Sequence, residues 1–542
     1  MSNRGRYVKQ ATTLAVALSC IALSAIGGAD SVVEKKAPST ANQELSFRPI
    51  PKAVCGPGDK PETALQGQVP AALRSATAPF QGFSCNLQLL AQVKGEGANW
   101  QTAEWREGSG KNRKVCAYHG TAAPSANTAY PRVNYGVRVI DISDPTKPVN
   151  TAYLTTTAML DPWESLKINE RRKLLGAVNG QNGGGGPEVD IYDISGDCRF
   201  PQLLASMAVV PPDANHPIIG HEGSWAPDGL TYYGADLRYR PAGSVSTGQY
   251  YAVDTSDTTN PKFITAWLTG VPGGNIHGLS VSEDGTRGYM VSIGNINAQT
   301  ILDDSVPANN GLLVYDLTDV QQRKANPQVK LISSLFWKDG STAQHTIPIK
   351  IKGKPYVVFV DEGGSPGVRT IGCPAGFAVF PMARIIDMSD ETKPTVVSKL
   401  MLEIHDPANC DKVIPDLAGL TSFLYGSHYC SVDNRQKATT LACGYQNSGI
   451  RVFDIRDPYR PYEIAYYNPS VTTAVSPGSN HVSQRATQQP GGPDWCSAHS
   501  HLDAETGTLW TTCQDNGLLS FKFTHNAWPF ADSTTPPGWQ AN

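Results

Sequence analysis

Apolar and polar residues alternate along this chain in short runs, and the runs return in a fixed order. The pattern is clearest in GVRVIDISDPTKPVNTAYL (136–154), VDIYDISGDCRFPQLLASM (189–207) and YYAVDTSDTTNPKFITAWL (250–268). It returns in LLVYDLTDVQQRKANPQVKLISSL (312–335), ARIIDMSDETKPTVVSKLML (383–402) and IRVFDIRDPYRPYEIAYY (450–467). Alternation with a period of two predicts half-buried strands. Each copy is a strand ending in Asp, a polar turn, then a second strand. The aspartates Asp141, Asp193, Asp254, Asp316, Asp387 and Asp454 are about 50 to 70 residues apart. Room for four short strands per unit makes the fold class all-β and the architecture a β-propeller. The aspartates themselves read as turn caps.

Six units are complete. The last ends at LLSFKF (518–523) without an outer strand, and CNLQLLAQVKG (85–95) reads as that strand supplied from the N-terminal side. Seven four-stranded blades result, with the ring closed and its free edges removed. The repeat resembles that of the LVIVD-repeat family of exported bacterial proteins, over most of residues 110–525. That resemblance implies a β-propeller and does not imply one activity. The chain divides into a signal peptide (1–29), a poorly ordered leader (30–82) rich in Pro, Ala, Thr and Lys, the propeller (83–527) and a C-terminal tail (528–542). Gly/Pro-rich insertions at 296–310 and 363–380 enlarge two blades, and loops of that length often carry function.

Composition agrees with many turns: 51 glycines and 40 prolines, with few helix-period segments. The net charge of −3 is scattered, and no basic stripe points to nucleic acid. Arg4, Arg6 and Lys9 precede an apolar run from Ala11 to Ile26, followed by the small residues Gly27 and Ala29. This is the order of a secretory signal peptide, and the run is too short for a membrane span. Cys20 as a lipidated cysteine is the weaker alternative. The expected location is therefore periplasmic or extracellular, with no transmembrane segment in the mature chain. Ten cysteines lie beyond the signal, and an even number in an exported chain favours disulfides. Cys430 pairs with Cys443 and Cys496 with Cys513 as strand neighbours. Partners among Cys55, Cys85, Cys116, Cys198, Cys373 and Cys410 stay open. No CxxC motif offers a thiolate zinc site.

The chemistry-bearing signal is a histidine at one position of the repeat. His221, His277, His345 and His499 each stand seven residues before an X-Gly turn, and His428 fits the slot with a longer turn. On the inner strands of a propeller these imidazoles converge at one mouth of the central channel. His501, two residues beyond His499, is an alternative ring member. Blade two carries Glu164 in the matching register, and Glu222 adjoins His221. Neutral imidazole suits copper, iron, zinc or nickel, and neighbouring carboxylates fix its tautomer. Without thiolates, an open transition-metal site is expected, copper or iron before zinc. The metal ligands are then His221, His277, His345, His428 and His499, while Glu164, Glu222, Asp361 and Asp515 orient ligands or move protons.

Converging histidines are also the shared feature of carotenoid-cleaving oxygenases and selenium-binding proteins, an analogy of architecture only. The expected function is an exported metalloprotein that oxidises a small or apolar molecule. A non-catalytic envelope interaction module, binding a partner at the histidine face, is the alternative; a metal-dependent hydrolase is a second. No GxSxG elbow or phosphate-binding loop competes, since GGGG (183–186) opens no helix.

Overall fold

Each repeated aspartate ends a strand and turns the chain. The side chains of Asp141, Asp193, Asp254, Asp316, Asp387 and Asp454 accept the backbone N–H two residues on, at 2.7–2.9 Å. The carboxylate thereby fixes the tight turn into the outer strand, as the capping reading requires.

The computed structural model describes residues 31–33 and 48–533, except 95, 122–133, 135, 181–186, 213–216, 238–247, 295–296, 298, 364–367, 421–422 and 473–490. Seven sheets form the propeller, each with four antiparallel blade strands, and Ser31–Val33 adds parallel to the outer edge of one. Blade one runs from Thr102–Glu107 to Val149–Leu154, and blade two from Lys167–Asn169 to Gln202–Met207. Blade three runs from Gly223–Trp225 to Lys262–Trp267, and blade four from Leu279–Val281 to Lys330–Trp337. Blade five runs from Ser341–Ile351 to Thr395–Lys399, and blade six from Cys430–Val432 to Tyr462–Asn468. Blade seven takes its inner three strands from His501–Asp503 to Gly517–Phe523. Its outer strand is Leu87–Val93, paired from Leu87↔Phe523 to Val93↔Leu518. The N-terminal strand thus closes the ring. Between blades, β-branched and aromatic side chains interdigitate: Ile347, Val358 and Ile385 of blade five share a core with Leu441 and Phe453 of blade six.

The proposed signal peptide lies outside the described residues. Residues 48–82, expected to be poorly ordered, are instead fastened to blade six. Ile50, Val69 and Phe80 are buried in core clusters there, and covalent and ionic links add to that packing. Cys55 is bonded to Cys85, and Phe83–Cys85 adds antiparallel to Tyr462–Asn468. Glu62 reaches the buried Arg451, and the guanidinium of Arg74 donates to the carbonyls of Val69 (2.9 Å) and Ala418 (2.7 Å). In the tail, Trp528 packs on Phe523.

All ten cysteines of the described residues form disulfides. Cys430–Cys443 and Cys496–Cys513 both form as expected, the first between register partners, and are joined by Cys55–Cys85, Cys116–Cys198 and Cys373–Cys410. Five disulfides fit an oxidising, exported setting. Cys116–Cys198 ties blade one to blade two across a separation of 82 residues. Chain entropy for a loop of that size corresponds to about 4.5 kcal/mol. The double variant Cys116→Ala/Cys198→Ala should lose about that much unfolding free energy in denaturant titration. A loss below about 1 kcal/mol would show that the unfolded chain already keeps these blades together.

Candidate metal centre

The inner segments of adjacent blades approach closely at one mouth of the channel. The Glu164 N–H donates to the His221 carbonyl (3.1 Å), Gly278 N–H to Gln344 (2.9 Å) and Tyr429 N–H to Ser497 (3.1 Å). A Cβ on Gly278 would stand 2.1 Å from both the Gln344 carbonyl oxygen and Glu222 Oε2, so only glycine allows this approach. The contacts bring side chains from five blades together.

At the centre, Nε2 of His221 and Nε2 of His277 are 2.9 Å apart. Glu164 Oε2 lies 3.3 Å from the first and 3.8 Å from the second. Donor atoms of these three residues all fall within 4.8 Å of one another, a group able to hold a metal ion. Two ligands on one ion with bonds of about 2.0–2.2 Å stand roughly 3–4 Å apart, which the three separations match. Nδ1 of His277 lies 3.1 Å from the carbonyl oxygen of Gln344 and Nδ1 of His428 lies 2.9 Å from that of Ser497. With Nδ1–H donated to a carbonyl, Nε2 of each ring is the atom left facing the cluster, and it offers a lone pair to a metal once its proton is displaced, the arrangement found in metal-ligating histidines.

Not all five ring histidines meet at this point. His428 joins the cluster: its Nε2 lies 2.9 Å from Glu362 Oε2 and 3.5 Å from Glu164 Oε1. His345 and His499 do not. Their rings flank Tyr429, at centroid distances of 4.6 and 4.3 Å, and are 5.4 Å from each other. The cause is a register shift between Ala343 and His345 in the inner strand of blade five. The shift presents Gln344 to the cluster, its amide donating to Glu164 Oε2 (3.1 Å) and facing His428 Nε2 (3.2 Å). His499 rather than His501 faces the Tyr429 layer. His501 stacks on Trp510 at 4.4 Å and bonds Thr102 Oγ1 at 2.8 Å.

The four carboxylates separate as well. Glu164 is central, and its Oε2 also accepts the Tyr429 hydroxyl (3.0 Å). Glu222 lies 3.8 Å from His277 Nδ1, on the far side of that ring. Asp361 points between blades four and five, accepting from Asn310 and Trp337 (2.8 Å each) and Arg384 (3.3 Å). It is a structural hub. The next residue on the same strand, Glu362, is the one that turns to the histidines, because successive strand residues face opposite sides. The backbone N–H of Asp515 donates to Asp494 (3.0 Å), on blade seven. Gln344 and Tyr429 are the participants that histidine spacing does not reveal, and each adjoins a ring histidine; Glu362, like Asp361, lies at the end of a second strand on the histidine face.

Charge within the cluster is paired throughout. Burial opposes ionisation of Glu164, but His221, His428 and His277 outweigh it and hold the carboxyl well below its usual range. Burial likewise opposes charge on His277 and His428, yet Glu222, Glu164 and Glu362 raise the first to about 9. Glu164 and Glu362 raise the second to about 10. His221 is lowered by burial and by His277. His345 and His499 fall well below the usual value through burial and the nearby Lys167. Lys167 itself is lowered to about 8 by burial.

Aromatic rings roof the cluster. Trp100 stacks on His428 at 5.1 Å and lies near Trp163 (5.8 Å), Phe423 (5.9 Å) and Trp495 (6.1 Å). Trp163 and Phe423 hold φ of 47° and 65°. Bulky residues in this left-handed region cost of order 1–3 kcal/mol each, and such positions concentrate at functional sites.

His119 and His405 lie outside the cluster and are fully buried. The Leu402 N–H donates to His405 Nδ1 (2.8 Å), and His405 Nε2–H faces the Tyr425 carbonyl (3.0 Å), satisfying a neutral ring. Burial lowers both histidines to about 4. Below pH ~6.5 the unfolded chain therefore takes up protons that the folded chain refuses. Each should cost about 1.4 kcal/mol of stability per pH unit as pH falls to about 4. Unfolding free energies at pH 7, 6 and 5 measure this slope. His405→Gln should remove the share of one histidine, and an unchanged slope would assign the acid sensitivity elsewhere.

Comparison with known protein families finds no family model that matches this chain, and no curated protein matches it. Among solved structures, hydrazine synthase from Kuenenia stuttgartiensis aligns with 80% of this chain and 97% of its own, at 11% identity and TM-score 0.44. A putative 6-phosphogluconolactonase from Bacteroides fragilis aligns with 77% of this chain and 95% of its own, at 10% identity and TM-score 0.41. The Cps50 (Swd1) β-propeller domain of Myceliophteria thermophila aligns with 81% and 99%, at 9% identity and TM-score 0.40.

Proposed function

We propose that this protein is an exported propeller metalloenzyme that oxidises a small or apolar molecule at the mouth of its channel. The observation that carries the reading is the convergence of His221, His277 and Glu164, whose donor atoms lie within 4.8 Å of one another. Two imidazoles and one carboxylate on a divalent ion leave positions open, and this ligand type is used by non-haem iron oxygenases. Such an ion supplies a Lewis acid or a one-electron redox couple when bound. The chain's own residues then orient and shield. Gln344 and Tyr429 hold Glu164 by hydrogen bonds, and Trp100, Trp163 and Phe423 exclude water above the site. The apolar roof favours an apolar substrate over a sugar or a charged metabolite.

Elemental analysis of protein made in an oxidising compartment tests the reading, beside a His277→Ala variant. Near-stoichiometric iron or copper, lost in the variant, is the expected result. Zinc would move the assignment to a hydrolase, for which two histidines and a glutamate are an equally familiar set. Absence of metal from both proteins would overturn the reading. It would favour an envelope interaction module whose channel is plugged by ion pairs such as His428–Glu362.

A further inference from the structure

Two carboxylates stand in the same relation to the same two imidazoles. Glu164 turns Oε2 toward His277 Nε2 (3.8 Å) and Oε1 toward His428 Nε2 (3.5 Å). Glu362, from another blade, turns Oε1 toward His277 Nε2 (3.8 Å) and Oε2 toward His428 Nε2 (2.9 Å). Each carboxylate therefore offers one oxygen to each ring. A single ion bound to His221 and His277 uses one oxygen of each carboxylate and leaves the other two facing His428.

We propose that the channel holds two divalent ions bridged by Glu164 and Glu362. The first sits on His221 and His277 with Glu164 Oε2 and Glu362 Oε1. The second sits on His428 with Glu164 Oε1 and Glu362 Oε2. This inference rests on the metal-centre reading above and extends it to a second site.

His428 is prepared as a ligand in the same way as His277. Its Nδ1 is engaged by the Ser497 carbonyl, which leaves Nε2 directed at the two carboxylates. All four N···O separations suit ligands that share an ion with bonds of about 2.0–2.2 Å. Bridging by two carboxylates keeps such ions roughly 3.5–4 Å apart, the spacing of established two-metal sites. The second ion also has a further donor within reach. Gln344 is buried, its amide nitrogen lies 3.2 Å from His428 Nε2, and its Oε1 has no partner among the described residues. Rotating that amide would bring an oxygen to the second position in exchange for its hydrogen bond to Glu164. Oxygen and imidazole donors without thiolate or thioether select divalent iron, manganese, cobalt or zinc over copper(I). His428 stacks beneath Trp100 and His221 lies 5.9 Å from Trp163, so the aromatic roof spans both positions.

The test is a cobalt(II) titration of the metal-stripped, disulfide-intact whole protein, read by visible absorption and by metal content after gel filtration. Two equivalents are expected for the wild type, and one each for His428→Ala and Glu362→Gln. One equivalent in the wild type would overturn the pair and leave the single-ion reading standing. None would overturn both. Two equivalents retained in His428→Ala would also overturn the assignment. If the variants do not fold, magnetic susceptibility of the loaded wild type decides. Bridged ions are exchange-coupled and give less than twice the susceptibility of an isolated cobalt(II), whereas two independent ions give twice that susceptibility.

Discussion

Glu164→Gln should abolish metal binding at the proposed centre while leaving the propeller folded. The substitution keeps the shape of the side chain. Its amide oxygen can still accept from Tyr429 and Gln344, which both bond Oε2 at 3.0 and 3.1 Å. What disappears is the negative charge, and an N–H donor now faces His428. Loss of an outer-shell partner costs roughly 10–100-fold in metal affinity. Removing a charged ligand that touches His221, His277 and His428 should exceed that range. A cobalt(II) or iron(II) binding isotherm reads the loss, with a thermal melt of the metal-free proteins as the control. Wild-type affinity in the variant would show that the histidines alone, or a different cluster, hold the ion.

Arg451→Met should be the most destabilising single change away from the channel. The guanidinium is fully buried and bridges Glu463 (3.0 Å) and Glu62, with Tyr466 beneath it at 4.7 Å. Glu463 is fully buried and Glu62 nearly so. Removing the cation strands two carboxylates in the interior, and breaking a buried ionic network in this way costs about 3–5 kcal/mol. The triple variant Arg451→Met/Glu62→Gln/Glu463→Gln should recover most of that loss, because no buried charge is then left unpaired. Denaturant titration of both variants measures it. A triple variant as unstable as the single one would locate the loss in packing against Tyr466 instead.

The sequence carries the propeller because strand alternation and the Asp turn are local and recur in every unit. The cross-strand cysteines were legible for the same reason: Cys430 faces Cys443 once the inner two strands of blade six are in register. The histidine register located the channel mouth, and it brought out Glu164 as well. It could not show which way each ring turns. A one-residue shift at Ala343 exchanges His345 for Gln344, and nothing in the local sequence announces it. Asp361 and Glu362 differ only by strand parity, which is fixed by where the strand begins to pair. The 48–82 segment looked poorly ordered because what holds it is distant: Glu62 and Arg451 are separated by 389 residues. Contacts of that range leave no trace in a local window.

The closing strand of blade seven imposes an order of events on the growing chain. Leu87–Val93 is made early and Gly517–Phe523 near the end, so the seam between them joins last. Until then blade seven keeps an open edge, and the loop to be closed is nearly the whole molecule. The seam is a latch that the chain can fasten only once Gly517–Phe523 has been made. A copy truncated before Gly517 lacks the strand that Leu87–Val93 pairs with and remains an unlatched ring.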